Sequence, residues 1–102
     1  MDRFTALADP TRRAILEMLS KRGEMPAGDI AAQFAMSAPA VSQHLRALRE
    51  AGLVRVIPQG QRRLYRLDTE ALREVEEWAA RTRRLWERRL DALEAFLKSE
   101  QS

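Results

Sequence analysis

The 102-residue sequence predicts a mainly α-helical domain with about five helices and one small β-hairpin. Two features of the chain lead to this prediction. A short helix that begins after Ser37 runs directly into an arginine-rich hairpin, and the last third of the chain keeps apolar residues at helical spacing over about 30 residues. Two short helices joined by a tight turn and followed by such a hairpin make a winged helix-turn-helix, which is the predicted fold class.

The first three predicted helices are short. Phe4, Leu7 and Ala8 indicate the first helix, and Asp9-Pro10 ends it and begins the second, because proline fits the first helical position. A connection over residues 23–28 leads to a third helix over residues 29–34. We expect the buried faces of the second and third helices to be Ala14, Ile15, Met18 and Leu19, and Ile30, Ala31 and Phe34.

The fourth helix carries the candidate recognition surface. Ser37 can cap it, and a buried stripe recurs at i, i+4 and i+7, namely Val41, Leu45 and Leu48. The opposite face is left to Pro39, Ser42, Gln43 and Arg46. Polar side chains of this kind can hydrogen-bond base edges or phosphates, whereas a face meant only for solvation more often carries Glu and Lys.

A basic hairpin follows Gly52, which ends the helix. Residues 53–57 can pair with residues 62–67 across the four residues 58–61, so that arginines lie at the tip. Residues 38–66 carry six basic side chains and one acidic one, a net charge of +5. The segment before has five of each sign, and the segment after has seven basic and nine acidic side chains. A polyanion is therefore attracted to this helix and hairpin, and its binding should depend on salt.

The last predicted helix runs from Thr69 to about Lys98, roughly 45 Å, which is too long for one small domain to cover. We expect its apolar stripe to pair with the same helix of a second subunit, helped by the first helix. The predicted interface residues are Phe4, Leu7, Trp78, Leu85, Trp86, Leu93 and Phe96. The alternatives are a stripe that folds back on its own domain or binds an unrelated helix, and tryptophans that form a ligand cage. A twofold dimer presents two recognition helices roughly 34 Å apart and calls for an inverted-repeat operator.

We expect a single domain over residues 1–102, divided into a DNA-binding core (1–67), a dimerisation helix (68–98) and a tail (99–102). The chain has no cysteine and one histidine, which excludes disulfides and thiolate metal sites and leaves little for acid–base chemistry. Neither an enzyme nor a cofactor is expected. No apolar run follows the initial Met-Asp-Arg-Phe and none approaches the roughly 20 residues of a membrane span, so we expect a cytoplasmic protein without membrane contact.

Three stretches of the chain resemble the motifs of one bacterial family. They are Ala6-Leu7-Ala8-Asp9-Pro10-Thr11-Arg12-Arg13-Ala14-Ile15-Leu16, Ser42-Gln43-His44-Leu45-Arg46-Ala47-Leu48 followed by Ala51-Gly52-Leu53-Val54, and Gly60-Gln61-Arg62-Arg63-Leu64-Tyr65. Over residues 3 to about 67, and with a long final helix, the chain resembles the ArsR family of winged-helix repressors. The resemblance implies a homodimeric transcriptional repressor that binds a palindromic operator in double-stranded DNA, often at its own promoter.

By position, the resemblance also implies which residues lie nearest the DNA. The recognition helix spans Ala38 to Ala51, and the wing spans Gln59 to Arg63. The implied contacts are Ser37, Ala38, Pro39, Ala40, Ser42, Gln43 and Arg46 in the helix region, and Gln59, Gly60, Gln61, Arg62 and Arg63 in the wing.

The chain departs from the family where metals are bound. Founding members carry a cysteine pair in the third helix or His and Asp ligands on the last helix, but Asp29 to Met36 contain no cysteine and the final helix has no histidine. The resemblance then implies a metal-independent branch, released by a small molecule, by a partner protein, or by nothing beyond its own concentration. A carboxylate site of Glu70, Glu74 and Glu77 is the remaining metal alternative, although acids at this spacing are usually a solvated helix face.

Four further residues have two interpretations each. Arg12 and Arg13 open the second helix, where positive charge opposes the helix dipole, so a phosphate or an intramolecular carboxylate would explain them. His44 makes a structural hydrogen bond or contacts DNA, and Tyr65 contacts a phosphate or pairs across the hairpin.

A second class of function is a protein-interaction module that uses the long helix to bind another protein, but the basic wing favours DNA.

Overall fold

The computed structural model describes residues 1–101. Within this range it contains five helices and one three-stranded antiparallel sheet, so the predicted mainly helical fold with a small hairpin and a long last helix is confirmed. In chain order the elements are α1 (Arg3–Leu7), α2 (Pro10–Arg22), β1 (Glu24–Pro26), α3 (Ala27–Ala31), α4 (Ala38–Glu50), β2 (Val54–Gln59), β3 (Arg62–Leu67) and α5 (Thr69–Glu100).

Side-chain caps fix where the helices begin. The Asp2 carboxylate accepts the Thr5 N–H at 2.8 Å at the start of α1, and the Asp9 carboxylate accepts the Arg12 N–H at 2.9 Å at the start of α2. Each bond satisfies one of the backbone donors that a helix N-terminus leaves open. The predicted Asp9 cap, with Pro10 as the first helical residue, is confirmed.

The core belongs to residues 1–71, which form one compact unit; the rest of α5 forms a second. The predicted stripe of α4 is fully buried, and no polar or charged side chain is buried in the part of the chain described. The predicted face of α2 is partly wrong. Ile15 and Leu19 are buried, but Leu16 completes the face, while Ala14 and Met18 stay half-exposed.

The sheet contains a strand that the sequence did not predict. β1 lies in the segment interpreted as a connection, and it pairs with β3 in the strand order β1-β3-β2. Met25 lies opposite Tyr65 and is buried, which explains why three residues suffice to form a strand. Pro26 is tolerated because β1 is an edge strand, where a missing N–H costs no ladder bond.

The hairpin turn is tighter than predicted. Pairing continues to Gln59 opposite Arg62, so Pro58 and Gln59 belong to β2 and the turn consists of Gly60 and Gln61 alone. Gly60 has φ +62°, which two-residue hairpin turns require at their first position and which only glycine adopts without strain. Pro58 fits because β2 is the other edge of the sheet.

The third helix begins and ends earlier than predicted. α3 spans Ala27–Ala31, and the chain then tightens, since the N–H groups of Gln33 and Phe34 bond carbonyls only three residues back. Ile30 is fully buried, but Ala31 and Phe34 remain half-exposed. Of the predicted tail, residues 99–100 continue α5, and Ser102 lies outside the described residues.

Candidate nucleic-acid interface

Local sequence explains why α4 forms and which face it exposes. The Ser37 hydroxyl accepts the Ala40 N–H at 3.2 Å, and Pro39 lies in the first turn, where its missing N–H is not needed. Burial of the apolar stripe turns the other side of the helix outward. Of the predicted helix contacts, Ala40 is half-buried and the others are exposed: Ser37, Ala38, Pro39, Ser42, Gln43 and Arg46.

Arg46 has an acidic neighbour on its own helix. Its Nε donates to Glu50 Oε1 at 3.1 Å, and its side chain is 81% exposed. An exposed pair of this kind contributes only about 0.3–0.5 kcal/mol, because water and salt screen it. A DNA base or phosphate can therefore compete with Glu50 for this guanidinium.

The wing, residues 59–63 at the tip of β2 and β3, carries two arginines on opposite faces of the ribbon. Arg62 is opposite Gln59 and Arg63 is opposite Pro58, and successive residues of a strand alternate between faces. Both side chains are exposed, and neither has a hydrogen bond or ion pair within residues 1–101. The tip thus offers two guanidiniums without intramolecular partners.

At the base of the hairpin, acidic side chains offset the positive charges of two other arginines. Arg55 and Arg66 lie directly opposite each other on β2 and β3. Arg55 Nε donates to Asp68 Oδ2 at 3.0 Å, and Arg66 Nη1 lies 3.6 Å from Glu24 Oε1. The acids from outside residues 38–66 therefore offset part of the predicted +5 charge, which leaves the tip of the hairpin more positive than its base.

Asp68 is held by contacts on both of its oxygens. Besides Arg55, the N–H groups of Glu70 and Ala71 donate to Oδ1 at 3.1 and 3.2 Å. The hydrogen bond from Arg55, followed by the one from the Ala71 amide, holds the pKa of this carboxyl below its usual range. Asp68 thus joins the base of the hairpin to the first turn of α5.

Arg12 and Arg13 bind backbone carbonyls of α1. Arg12 Nε donates to Ala6 O at 2.7 Å and its Nη2 to Thr5 O at 3.1 Å, while Arg13 Nη1 donates to Leu7 O at 2.7 Å. The partners are thus carbonyls at the C-terminus of α1, of which that of Thr5 also accepts the Ala8 N–H at 3.1 Å, rather than the carboxylate considered from the sequence. These contacts account for both arginines within the fold, and a phosphate contact stays a prediction.

His44 and Tyr65 both face parts of their own chain. His44 Nδ1 lies 3.8 Å from Asp9 Oδ2, and both side chains are largely covered. Tyr65 lies in the central strand β3, between Met25 of β1 and Val56 of β2. The cross-strand position predicted for Tyr65 is observed, and DNA contact by either residue remains a prediction.

The predicted dimer residues leave much of their apolar surface uncovered in the single chain. On α5, Trp78, Leu85, Trp86, Leu93 and Phe96 are all between 47% and 60% exposed, and their spacing keeps them on one side of the helix. On α1, Phe4 is 47% exposed and Leu7 is half-buried.

One contact of the recognition helix has no signal in the sequence. Arg3 Nε donates to Ala51 O, the C-cap carbonyl of α4, at 3.2 Å. The partner is a backbone atom 48 residues away, so no local pattern could have indicated it.

The described chain contains no group of three or more His, Cys, Asp or Glu side chains that could hold a metal ion. None of its helices combines the length and apolar character of a bilayer span.

Comparison with known proteins agrees with this arrangement. Residues 9–56 match the family described as "Bacterial regulatory protein, arsR family". The transcriptional repressor SdpR of Bacillus subtilis is 44% identical over 75 residues, which cover 74% of this chain and 82% of the repressor. The HTH-type transcriptional regulator Rv2034 of Mycobacterium tuberculosis is 44% identical over 99 residues, which cover 95% of this chain and 87% of that protein.

A solved structure shows the same fold. The homodimeric winged helix-turn-helix DNA-binding domain of Mb0332 from Mycobacterium bovis, a possible ArsR-family regulator, superposes with a TM-score of 0.62 at 32% identity, covering 74% of this chain and 72% of that one. The family of the chain follows from the sequence matches, from the shared fold and from the exposed basic hairpin beside a capped helix. The chain belongs to the ArsR family of bacterial regulatory proteins, which are winged helix-turn-helix, DNA-binding transcriptional regulators rather than enzymes.

Proposed function

We propose that the chain is a homodimeric transcriptional repressor that binds an inverted-repeat operator without the help of a metal. The observation that carries this proposal is the combination, in one compact unit, of an exposed polar face on α4 with two unpartnered guanidiniums at the tip of the wing. A recognition helix enters the major groove and reads base edges, while a basic hairpin contacts the backbone beside it. The repressor SdpR supports the direction of regulation.

The exposed stripe of α5 supports the homodimer. A single chain that leaves two tryptophans and five other large apolar side chains about half-exposed on one helix has a surface typical of an interface. The relative Mb0332 is described as homodimeric, which supports a second copy of this chain as the occupant. A twofold dimer repeats α4 at a spacing of roughly one DNA turn, about 34 Å, and this spacing requires an inverted repeat.

The composition supports independence from metals. The chain has no thiolate ligand, and His44, its one imidazole, lies near a single carboxylate, that of Asp9, with no group of three potential ligands among the described residues. Zinc and cadmium sites in proteins need several Cys, His or carboxylate ligands around one ion. We expect one equivalent of zinc, cadmium or arsenite per subunit to leave operator affinity unchanged in a fluorescence-anisotropy titration, and a tenfold loss would contradict metal independence.

A gel-shift experiment tests the proposal directly. The probe is the DNA immediately upstream of the chain's own gene, compared with a scrambled duplex of equal length and composition. We expect binding of one dimer per site, protection of an inverted repeat in a footprint, and a steep loss of affinity with salt. Equal affinity for both duplexes would refute operator binding and would favour the alternative module that grips another protein through α5.

A further inference from the structure

The recognition helix is attached to the N-terminal part of the chain at two separate points. At its end, Arg3 Nε donates to Ala51 O at 3.2 Å. The Arg3 guanidinium lies directly over the turn that follows, because a Cβ built on Gly52 would meet its Nη2 at 3.3 Å. Gly52 has φ +75°, and the next amide, of Leu53, bonds back to Leu48 O at 3.0 Å. The arginine therefore binds the closing turn of α4 and not a freely moving loop.

The second attachment, a contact longer than a hydrogen bond, lies near the middle of the helix. His44 Nδ1 is 3.8 Å from Asp9 Oδ2, and the two side chains are only 23% and 31% exposed. Asp9 cannot swing away easily, because the same Oδ2 accepts the Arg12 N–H and caps α2. The contact therefore places the covered edge of α4 against a fixed point at the junction of α1 and α2.

That junction is itself held by three hydrogen bonds. Arg12 donates to the carbonyls of Ala6 and Thr5, and Arg13 donates to that of Leu7, which joins the end of α1 to the first turn of α2. Charged donors make hydrogen bonds that are stronger than neutral ones. Arg3 on α1 and Asp9 at the start of α2 thus lie on two helices whose junction is held by these hydrogen bonds.

We infer that Arg3 and His44 are positioning residues for DNA reading, an inference that rests on the proposed function. The buried stripe already packs α4 into the core. The two attachments lie seven residues apart, about 10 Å along the axis, so together they restrict the small shifts and rotations of α4 that the apolar packing still allows. Hydrogen bonds to base edges weaken steeply when donors and acceptors lose alignment, whereas phosphate attraction depends little on orientation. Removal of an attachment therefore lowers discrimination between sequences more than it lowers overall DNA affinity.

The test uses Arg3→Met, which keeps the stem and removes the donors, with Arg22→Met as the matched control. Arg22 is exposed whereas Arg3 is half-buried, but Arg22 also lies in unit 1, in the last turn of α2, and its loss changes the net charge equally. The probes are a duplex that the wild-type protein enriches from a random library and its scrambled version, each titrated at several salt concentrations. For Arg3→Met we expect about a tenfold loss on the enriched duplex beyond any loss in Arg22→Met, close to the value of one base contact. We expect unchanged affinity for the scrambled duplex, with an unchanged salt slope and dimer fraction.

Two more variants complete the experiment. Arg3→Lys restores a donor that can reach the Ala51 carbonyl, so it should recover most of the lost discrimination. His44→Leu should show the same selective loss of affinity for the enriched duplex as Arg3→Met. If the melting curve of Arg3→Met shows a loss of folding, His44→Leu tests the inference in its place. Equal losses on both duplexes with a salt slope smaller by about one would make Arg3 a phosphate contact and overturn the inference. Full discrimination in both folded variants would overturn it too, whereas a wild type that enriches no duplex refutes the proposed function instead.

Discussion

The double substitution Trp86→Glu and Leu93→Glu should dissociate the proposed dimer and thereby remove operator binding. Both residues lie on the exposed stripe of α5, far from α4 and the wing in sequence. In the single chain, Trp86 is 60% and Leu93 is 54% exposed. A partner helix that covers them excludes water from both side chains, and a carboxylate at either position would lose its hydration without gaining a counter-charge.

The expected magnitude follows from these exposures. An indole exposes up to about 250 Å², so Trp86 has about 150 Å² left to bury, equivalent to about 4 kcal/mol at 25 cal/mol per Å². Leu93 adds about 1 kcal/mol, half of what full burial of a leucine contributes. The twofold axis doubles both contributions to about 10 kcal/mol, an upper limit. Even half of this figure weakens dimerisation more than about 1,000-fold.

Analytical ultracentrifugation beside a gel-shift measures both consequences. We expect a monomer whose operator affinity falls about 100-fold or more, because each half-site must then be bound without the high local concentration of the second. The control is Arg84→Gln with Ala95→Glu, which changes the net charge by the same two units on the opposite side of α5. A Trp86→Glu, Leu93→Glu protein that stays dimeric and binds its operator tightly would refute the assignment of this stripe to the dimer.

Three smaller perturbations test other parts of the structure. Arg46→Ala and Gln43→Ala should each lose about 1–3 kcal/mol of discrimination between operator and scrambled duplexes in parallel titrations, and equal losses on both would make them phosphate contacts. Asp68 has a pKa lowered chiefly by Arg55, so its contribution to stability is present above its unfolded pKa of about 3.9 and is lost as pH falls through the lower folded value. The melting temperature should therefore fall less steeply with decreasing pH for Asp68→Asn, which can still cap α5, than for wild type. Identical slopes of melting temperature against pH would contradict this cause. Gly60→Ala should lower the free energy of unfolding by about 1–2 kcal/mol because of its positive φ alone, as a Cβ there meets nothing within 4 Å; an unchanged urea midpoint would refute this.

The parts of the fold that short-range patterns specify were predictable from the sequence. The cap, proline and apolar stripe of α4 lie within a dozen residues, so its buried face followed from spacing, and its ends followed from Ser37 and Gly52 to within one residue. The hairpin was predictable for the same reason, although its turn was predicted to begin two residues too early and its end was correct. Pro58 looked like a turn residue, and only the position of β2 at the sheet edge makes it compatible with a strand.

Contacts between distant segments were not predictable in this way. β1 exists because the free edge of β3 accepts it across about 40 residues, and three residues carry no pattern of their own. Arg12 and Arg13 were correctly singled out as charges at the wrong end of a helix, but their carbonyl partners depend on how α1 meets α2. Arg3 shows the same limit, since its partner is a backbone oxygen that any residue type could supply.

The division of α4 into two faces has an evolutionary consequence. The buried stripe holds the domain together, whereas Ser42, Gln43 and Arg46 point outward and contribute no core contact. Substitutions at such surface positions usually change stability by less than about 0.5 kcal/mol. A duplicated copy of the gene can therefore drift toward a different target site while its product stays folded, and the two copies can diverge into regulators of separate genes without passing through an unstable intermediate.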